Sequence, residues 1–181
     1  MRYQVQRRLA AGSLRKIGPK LYTTDLQTPL EDLVRREWKV VVRLIAPGTV
    51  IGFRTAIELE PTPEGVVHLV GKSRRRATYP GLIVAVHRGP GPLPGDTPFL
   101  ETLFLASRAR ALLESLKPSR RRSAVGLKGL PRDIIESTVE QMIRTRGVSA
   151  ANELRDKAHS LARGLDAERE LEVLEGIIGT M

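Results

Sequence analysis

The chain has 181 residues, with 30 Lys and Arg against 20 Asp and Glu and no cysteine, which excludes disulfides, thiolate nucleophiles and thiolate zinc sites. Hydrophobic residues make up 41% and aromatics only 4%, enough for one well-filled core or two small ones built mainly of Leu, Val, Ile and Ala. No apolar run approaches the roughly 20 residues a bilayer span needs, and the N-terminus lacks the apolar region of a signal peptide, so the expectation is a soluble, cytoplasmic protein. The net charge is uneven: residues 1–132 hold 24 of the Lys and Arg and 10 of the acids, while residues 133–181 hold 6 and 10. Such asymmetry suggests a polyanion-facing front beside a protein-facing end, with a merely solvated Arg-rich surface as the alternative.

The first 24 residues carry Arg2, Arg7, Arg8, Arg15, Lys16 and Lys20 and no acid. Val5 and Leu9 share a helical face, and Gly12 and Ser13 stop that helix. Leu14 to Ile17 is extended, Gly18 and Pro19 turn, and Lys20 to Thr24 reads as a returning strand. A basic helix leading into a basic hairpin has the form of the last part of a winged helix-turn-helix, in which the helix enters a major groove and the wing meets phosphate. The alternative is a solvated amphipathic helix capping a small sheet.

Further along, Thr28 is expected to cap a single amphipathic helix from Pro29 to Ala46, with Leu30, Leu33, Val34, Trp38, Val41, Val42 and Ile45 at helical spacing. A short extended segment, Thr49 to Ile51, precedes a compact helix from Phe53 to Leu59. Val66 to Gly71 and Gly81 to Val86 are apolar strands, separated by a basic run containing Arg74, Arg75 and Arg76. Arg88 to Pro98 is too rich in Gly and Pro to be helix or central strand and reads as a long loop. Phe99 to Leu105 is a third strand or a hairpin arm, and Ser107 caps a helix to Leu116. Lys117 to Lys128, with Arg120, Arg121 and Arg122, is a basic connector. Three helices follow: one opened by Leu130 and Pro131 and stopped at Gly147, one from Ser149 to Arg163, and one from Asp166 to Ile178. The fold class is therefore α/β (α+β): a small core with a basic N-terminal appendage and a C-terminal helical part.

No catalytic constellation can be assembled with conviction from these residues. His68, His87 and His159 lack metal-ligand spacing, and only His87, at the mouth of the Pro/Gly loop, is placed like a site residue. Glu58 and Glu60 form no close carboxylate pair with an evident partner. Asp96 and Glu101 are the acids near the loop, and no Lys accompanies them as a nuclease would need. The prolines of Gly89 to Gly95 remove the N–H donors a phosphate loop requires. No nucleophile elbow is present. The expectation is a non-enzyme with no catalytic residues, no metal and no cofactor.

The order RRLAAGSLRKIGPKLYTT, VRREWKVVVRLIAPGTVIGFRTAIEL, RGPGPLPGDTPF and LASRARALLESL, with the ending LEGIIGT, resembles the N-terminal region attached to a group of bacterial Fic-family proteins. That region is itself similar to the abortive-infection type of winged-helix antitoxin. The resemblance implies a partial winged helix (1–24), an antitoxin-like α/β core (25–128) and a C-terminal helical subdomain (129–181). It also implies a DNA-binding or regulatory module in the cytoplasm. The Fic signature, a His followed by Phe, an acid, Gly-Asn-Gly and Arg, occurs nowhere in the chain, so AMP transfer is not implied for it. Ser149 and Glu153 fit the family's inhibitory-helix motif but Leu154 departs, and the match reads as helix capping.

The expected partners are double-stranded DNA and a Fic-type or toxin-like protein or downstream domain, with homodimerisation as a further option and no membrane. Arg2, Arg7, Arg8, Arg15, Lys16, Lys20, Arg74, Arg75 and Arg76 are the candidate phosphate contacts, and Gln4 and Gln6 the candidates for base edges. The other reading is a protein-interaction region of a Fic-family AMP transferase that does not bind DNA.

Overall fold

A computed structural model describes residues 2–118 and 127–180. The chain forms a mixed α/β fold. Helix α1 (Arg2–Ala10) leads into a hairpin of β1 (Arg15–Gly18) and β2 (Leu21–Thr23), followed by α2 (Leu30–Arg36), α3 (Trp38–Ile45), β3 (Val50–Ile51) and α4 (Phe53–Glu58). Then come β4 (Val66–Gly71), β5 (Arg75–Tyr79), β6 (Leu82–Arg88), β7 (Thr97–Phe99) and β8 (Leu103–Leu105), and last α5 (Arg108–Leu116), α6 (Arg132–Arg146), α7 (Val148–Leu165) and α8 (Glu168–Gly179).

Six strands make the main sheet in the order β5-β6-β4-β3-β8-β7. The pairs β4–β6 and β3–β8 are parallel, and the others antiparallel. Alternation sends Val67, Leu69, Leu82, Val84 and Val86 to one face, where they meet Val34, Trp38, Val41 and Val42 of α2 and α3. The opposite face contributes Val50 and Val70, packed with Phe53, Ala106 and Ala111. Being covered on both sides, β4 is buried along its whole length, as its near-continuous apolar sequence requires. A separate core joins α6, α7 and α8 to Ala109, Leu112 and Leu113 of α5. Helix α5 thus serves two cores, giving Ala111 to the sheet and its other face to the C-terminal helices.

Several boundaries differ from the periodicity. The expected helix from Pro29 to Ala46 is two helices, broken at Glu37 (φ −92°, ψ 21°). The apolar stripe runs through the break, so it reports which side is buried rather than whether the backbone ladder is continuous. Thr28 does not cap α2. Instead Asp25 Oδ1 accepts from the Gln27 and Thr28 N–H groups, 3.0 and 2.9 Å away, and these bonds hold its carboxyl below the usual range. The basic run before Gly81 contains an unexpected strand, β5, which is mostly exposed at the sheet edge and so carries little apolar alternation. Asp166 does not open the last helix but closes α7 in the left-handed region (φ 52°), and α8 begins at Glu168.

Among the described residues no helix is long and apolar enough to cross a membrane.

Candidate functional site

Among the described residues positive charge is concentrated at the N-terminal helix and hairpin and over a face of the main sheet. In α1 no described side chain is buried, and Tyr3 is 77% exposed. With Val5 and Leu9 half-buried on one side, helical geometry turns Tyr3, Gln4 and Arg7 outward, while Gln6 and Arg8, also exposed, flank the Val5–Leu9 stripe on either side. The helix ends where Ser13 donates its N–H to the Arg8 carbonyl and Gly12 adopts a positive φ of 65°.

The hairpin, unlike the helix, is tied to the core. Arg15 pairs with Thr23 and Lys16 with Tyr22 across the two strands, and Leu21 joins the core beside Val34 and Trp38. Gly18 lies against the Tyr79 ring so closely that a Cβ would come within 2.6 Å of it, which explains glycine there. Arg15 donates to the Thr28 carbonyl at 2.7 Å and so also braces the fold. Arg7, Arg8, Lys16 and Lys20 make no ion pair among the described residues. Arg2 opens α1, but its side chain lies outside the described part, as do Arg120, Arg121 and Arg122.

Arg74, Arg75 and Arg76 do not act as one cluster. Strand alternation on β5 sets Arg75 opposite Val86 and Arg76 opposite Ala85, so the two face opposite sides of the sheet. Arg75 donates to the Ile45 carbonyl at 2.9 Å, at the C-terminal end of α3, where a cation also meets the negative end of the helix dipole. Arg74 and Arg76 turn the other way and line a cleft of about 1200 Å³ with His68, His87, Phe53 and Lys128.

That cleft is floored by a pair of histidines. His68 on β4 is 3% exposed and His87 on β6 is half-buried. Their parallel strands bring His68 Nδ1 to 3.0 Å from His87 Nε2, a hydrogen bond in which one ring donates and the other accepts. The rings lie 5.3 Å apart between centroids, and the Phe53 ring is 4.6 Å from that of His87. Burial first, and then the charges of Lys128, Arg74 and Arg76, push the His87 pKa down to about 4. The imidazole is therefore neutral at ordinary pH, in a positive local field.

Beneath the floor lies a buried ionic network. Arg110, fully buried, donates through Nε to Glu114 at 2.9 Å and through Nη1 to Asp96 at 2.5 Å. It also donates to the carbonyls of Gly91 and Pro90, at 2.8 and 2.9 Å. Asp96 in turn accepts from the N–H groups of Leu93 and Ser107. The Pro/Gly loop, which lacks a regular ladder, is thus held in shape by one guanidinium. Glu114 Oε2 accepts from the Phe53 N–H at 3.2 Å, and burial pushes its carboxyl up against the pull of Arg110. Phe53 itself has φ 52°, a strained conformation for a bulky residue. Gly52 before it is required, because a Cβ would meet Glu114 Oε2 at 2.6 Å and Val70 Cγ2 at 2.9 Å.

Spacing does not reveal the histidine pair, because its members lie 19 positions apart and their adjacency depends on strand order. His68 and His87 do fall on the same face of two strands, and that parity was the available signal. Asp96 has a structural partner in Arg110, while Glu101 pairs with Arg43, Glu58 with Arg54 and His159 with Glu175. Among the described residues no three His, Cys, Asp or Glu side chains cluster as metal ligands would. No family model, curated protein or solved structure matches the chain.

Proposed function

We propose that the chain is a non-catalytic DNA-binding module, a regulator of the toxin–antitoxin kind related to the winged-helix antitoxin region that its sequence resembles. The observation that carries this reading is the division of labour in the first 24 residues. The hairpin is anchored through Leu21, Gly18 and Arg15, while the acid-free helix before it presents its charge to solvent. In this reading Arg7 and Arg8 on α1 and Lys16 and Lys20 on the wing neutralise phosphates, and Gln4, one helical turn before Arg8, is the side chain aimed at base edges. Arg15 has the lesser part, since its guanidinium already bonds to Thr28.

A gel shift with a duplex from the region upstream of the gene tests the assignment. Arg7→Ala combined with Arg8→Ala is expected to weaken binding by at least about tenfold, the effect of losing roughly two phosphate contacts. Arg132→Ala, which removes an exposed arginine from α6, is the control and leaves binding unchanged. Equal effects of the two changes would remove the helix from the interface.

A further inference from the structure

The cleft over the histidine pair is not used by the helix and wing, and its construction calls for a ligand of its own. Its sheet wall is cationic: Arg76 stands opposite Ala85, whose small side chain leaves room above the strands, and Arg74 precedes it on the same side toward His87. Neither arginine makes an ion pair among the described residues. Lys128 also lines the cleft, its Nζ 5.2 Å from the centroid of the Phe53 ring. The helical wall differs in sign, carrying Asp166, Glu168 and Glu170 with Arg169 at the junction of α7 and α8.

We propose that this cleft binds a phosphorylated small molecule of nucleotide size, its phosphate held by Arg74, Arg76 and Lys128 above His87 and its hydroxyl or amino donors facing Asp166, Glu168 and Glu170. Two guanidinium groups and an ammonium lining one cleft, each close enough to act on His87, suit a multiply charged oxyanion, because each planar fork meets two phosphate oxygens. The carboxylates opposite accept hydrogen bonds from sugar hydroxyls or exocyclic amines and repel a second run of phosphates. A continuous nucleic-acid backbone therefore fits poorly where a single phosphorylated molecule fits well. The volume, about 1200 Å³, exceeds what inorganic phosphate needs and leaves room for a ligand of nucleotide size.

The floor is also preorganised as ligand sites are. The fully buried Arg110 fixes Glu114, and Glu114 holds Phe53 in its strained conformation against the His87 ring. His87, kept neutral by burial and by the same cations that would hold the phosphate, adds a polar ring without adding to their mutual repulsion.

Calorimetric titration of the full chain with adenosine diphosphate, pyrophosphate and adenosine tests this, with the histidine ring signals followed by NMR. Adenosine diphosphate is expected to bind at least about tenfold more tightly than adenosine and to shift the His87 signals. Arg74→Ala with Arg76→Ala is expected to weaken it by about tenfold or more, Arg74→Lys with Arg76→Lys to restore part of the loss, and Arg75→Ala, on the opposite face, to change nothing. Arg7→Ala with Arg8→Ala leaves this binding intact even where it lowers DNA affinity, so the two sites fail or survive separately. Absence of binding by both phosphorylated probes at millimolar concentration overturns the proposal, as does binding that Arg75→Ala weakens as much as the Arg74 and Arg76 pair. Should duplex DNA alone shift the His87 signals, the cleft belongs to the DNA surface and the proposal is wrong.

Discussion

Arginine is used in opposite ways in two regions of this molecule. On α1, Arg7 and Arg8 are exposed and have no acidic partner among the described residues. At the base of the sheet, Arg110 is fully buried and donates to two carboxylates and two carbonyls. The exposed charges are screened by salt and cost the fold little, whereas the buried one sets the shape of a loop and of the cleft above it. Charge count alone does not separate these roles; partners and burial do.

The sharpest way to break this contrast is to truncate both kinds of arginine and compare stability. Arg110→Met leaves Asp96 and Glu114 buried without their cation and is expected to cost about 3–5 kcal/mol in urea unfolding, whereas Arg7→Ala with Arg8→Ala is expected to stay within about 0.5 kcal/mol. Similar losses for both would show that α1 is structurally engaged.

Next in size is the pH response of the cleft floor. His87 titrates near 4 when folded and near 6.5 when unfolded. Between those values the unfolded chain takes up a proton that the folded one refuses, so stability falls as pH drops from 6.5 toward 4 and this effect levels off below. The full effect of this one group is about 3 kcal/mol, obtained from the shift at 1.36 kcal/mol per unit. Urea unfolding across that range measures it, and His87→Phe should flatten the dependence. An unchanged slope in that variant would place the titrating group elsewhere.

A smaller change probes the anchor of the wing. Gly18→Ala forces a methyl toward the Tyr79 ring and is expected to cost about 1–2 kcal/mol, the usual scale of overpacking. If it also weakens DNA binding while leaving the α1 residues untouched, the docked hairpin is what aims the helix.

Much of this architecture is legible before any coordinates, wherever the determining forces are local. The strand Val66–Gly71, the helix capped by Ser107 and the hairpin turning at Pro19 all announce themselves through apolar runs, a side-chain cap or turn residues. The break at Glu37 does not, because burial keeps the same stripe on both sides of it. Nor does β5, an exposed edge strand with little to bury. Of the candidate site, Arg7, Arg8, Lys16 and Lys20 face solvent. The Arg74–Arg76 run required the strand register to reveal that its middle member faces away. The His68–His87 pair required strand order, and the role of Asp96 required Arg110 to come back beneath the Pro/Gly loop.

The DNA assignment is tested most directly by the salt dependence of duplex binding, followed by fluorescence anisotropy for the unaltered chain and for Arg7→Ala with Arg8→Ala. Each lost phosphate contact lowers the slope of log K against log salt by about 0.9, so the double variant is predicted to bind with a slope shallower by about 2. An identical slope in the two proteins would contradict the proposal that α1 lies on the DNA backbone.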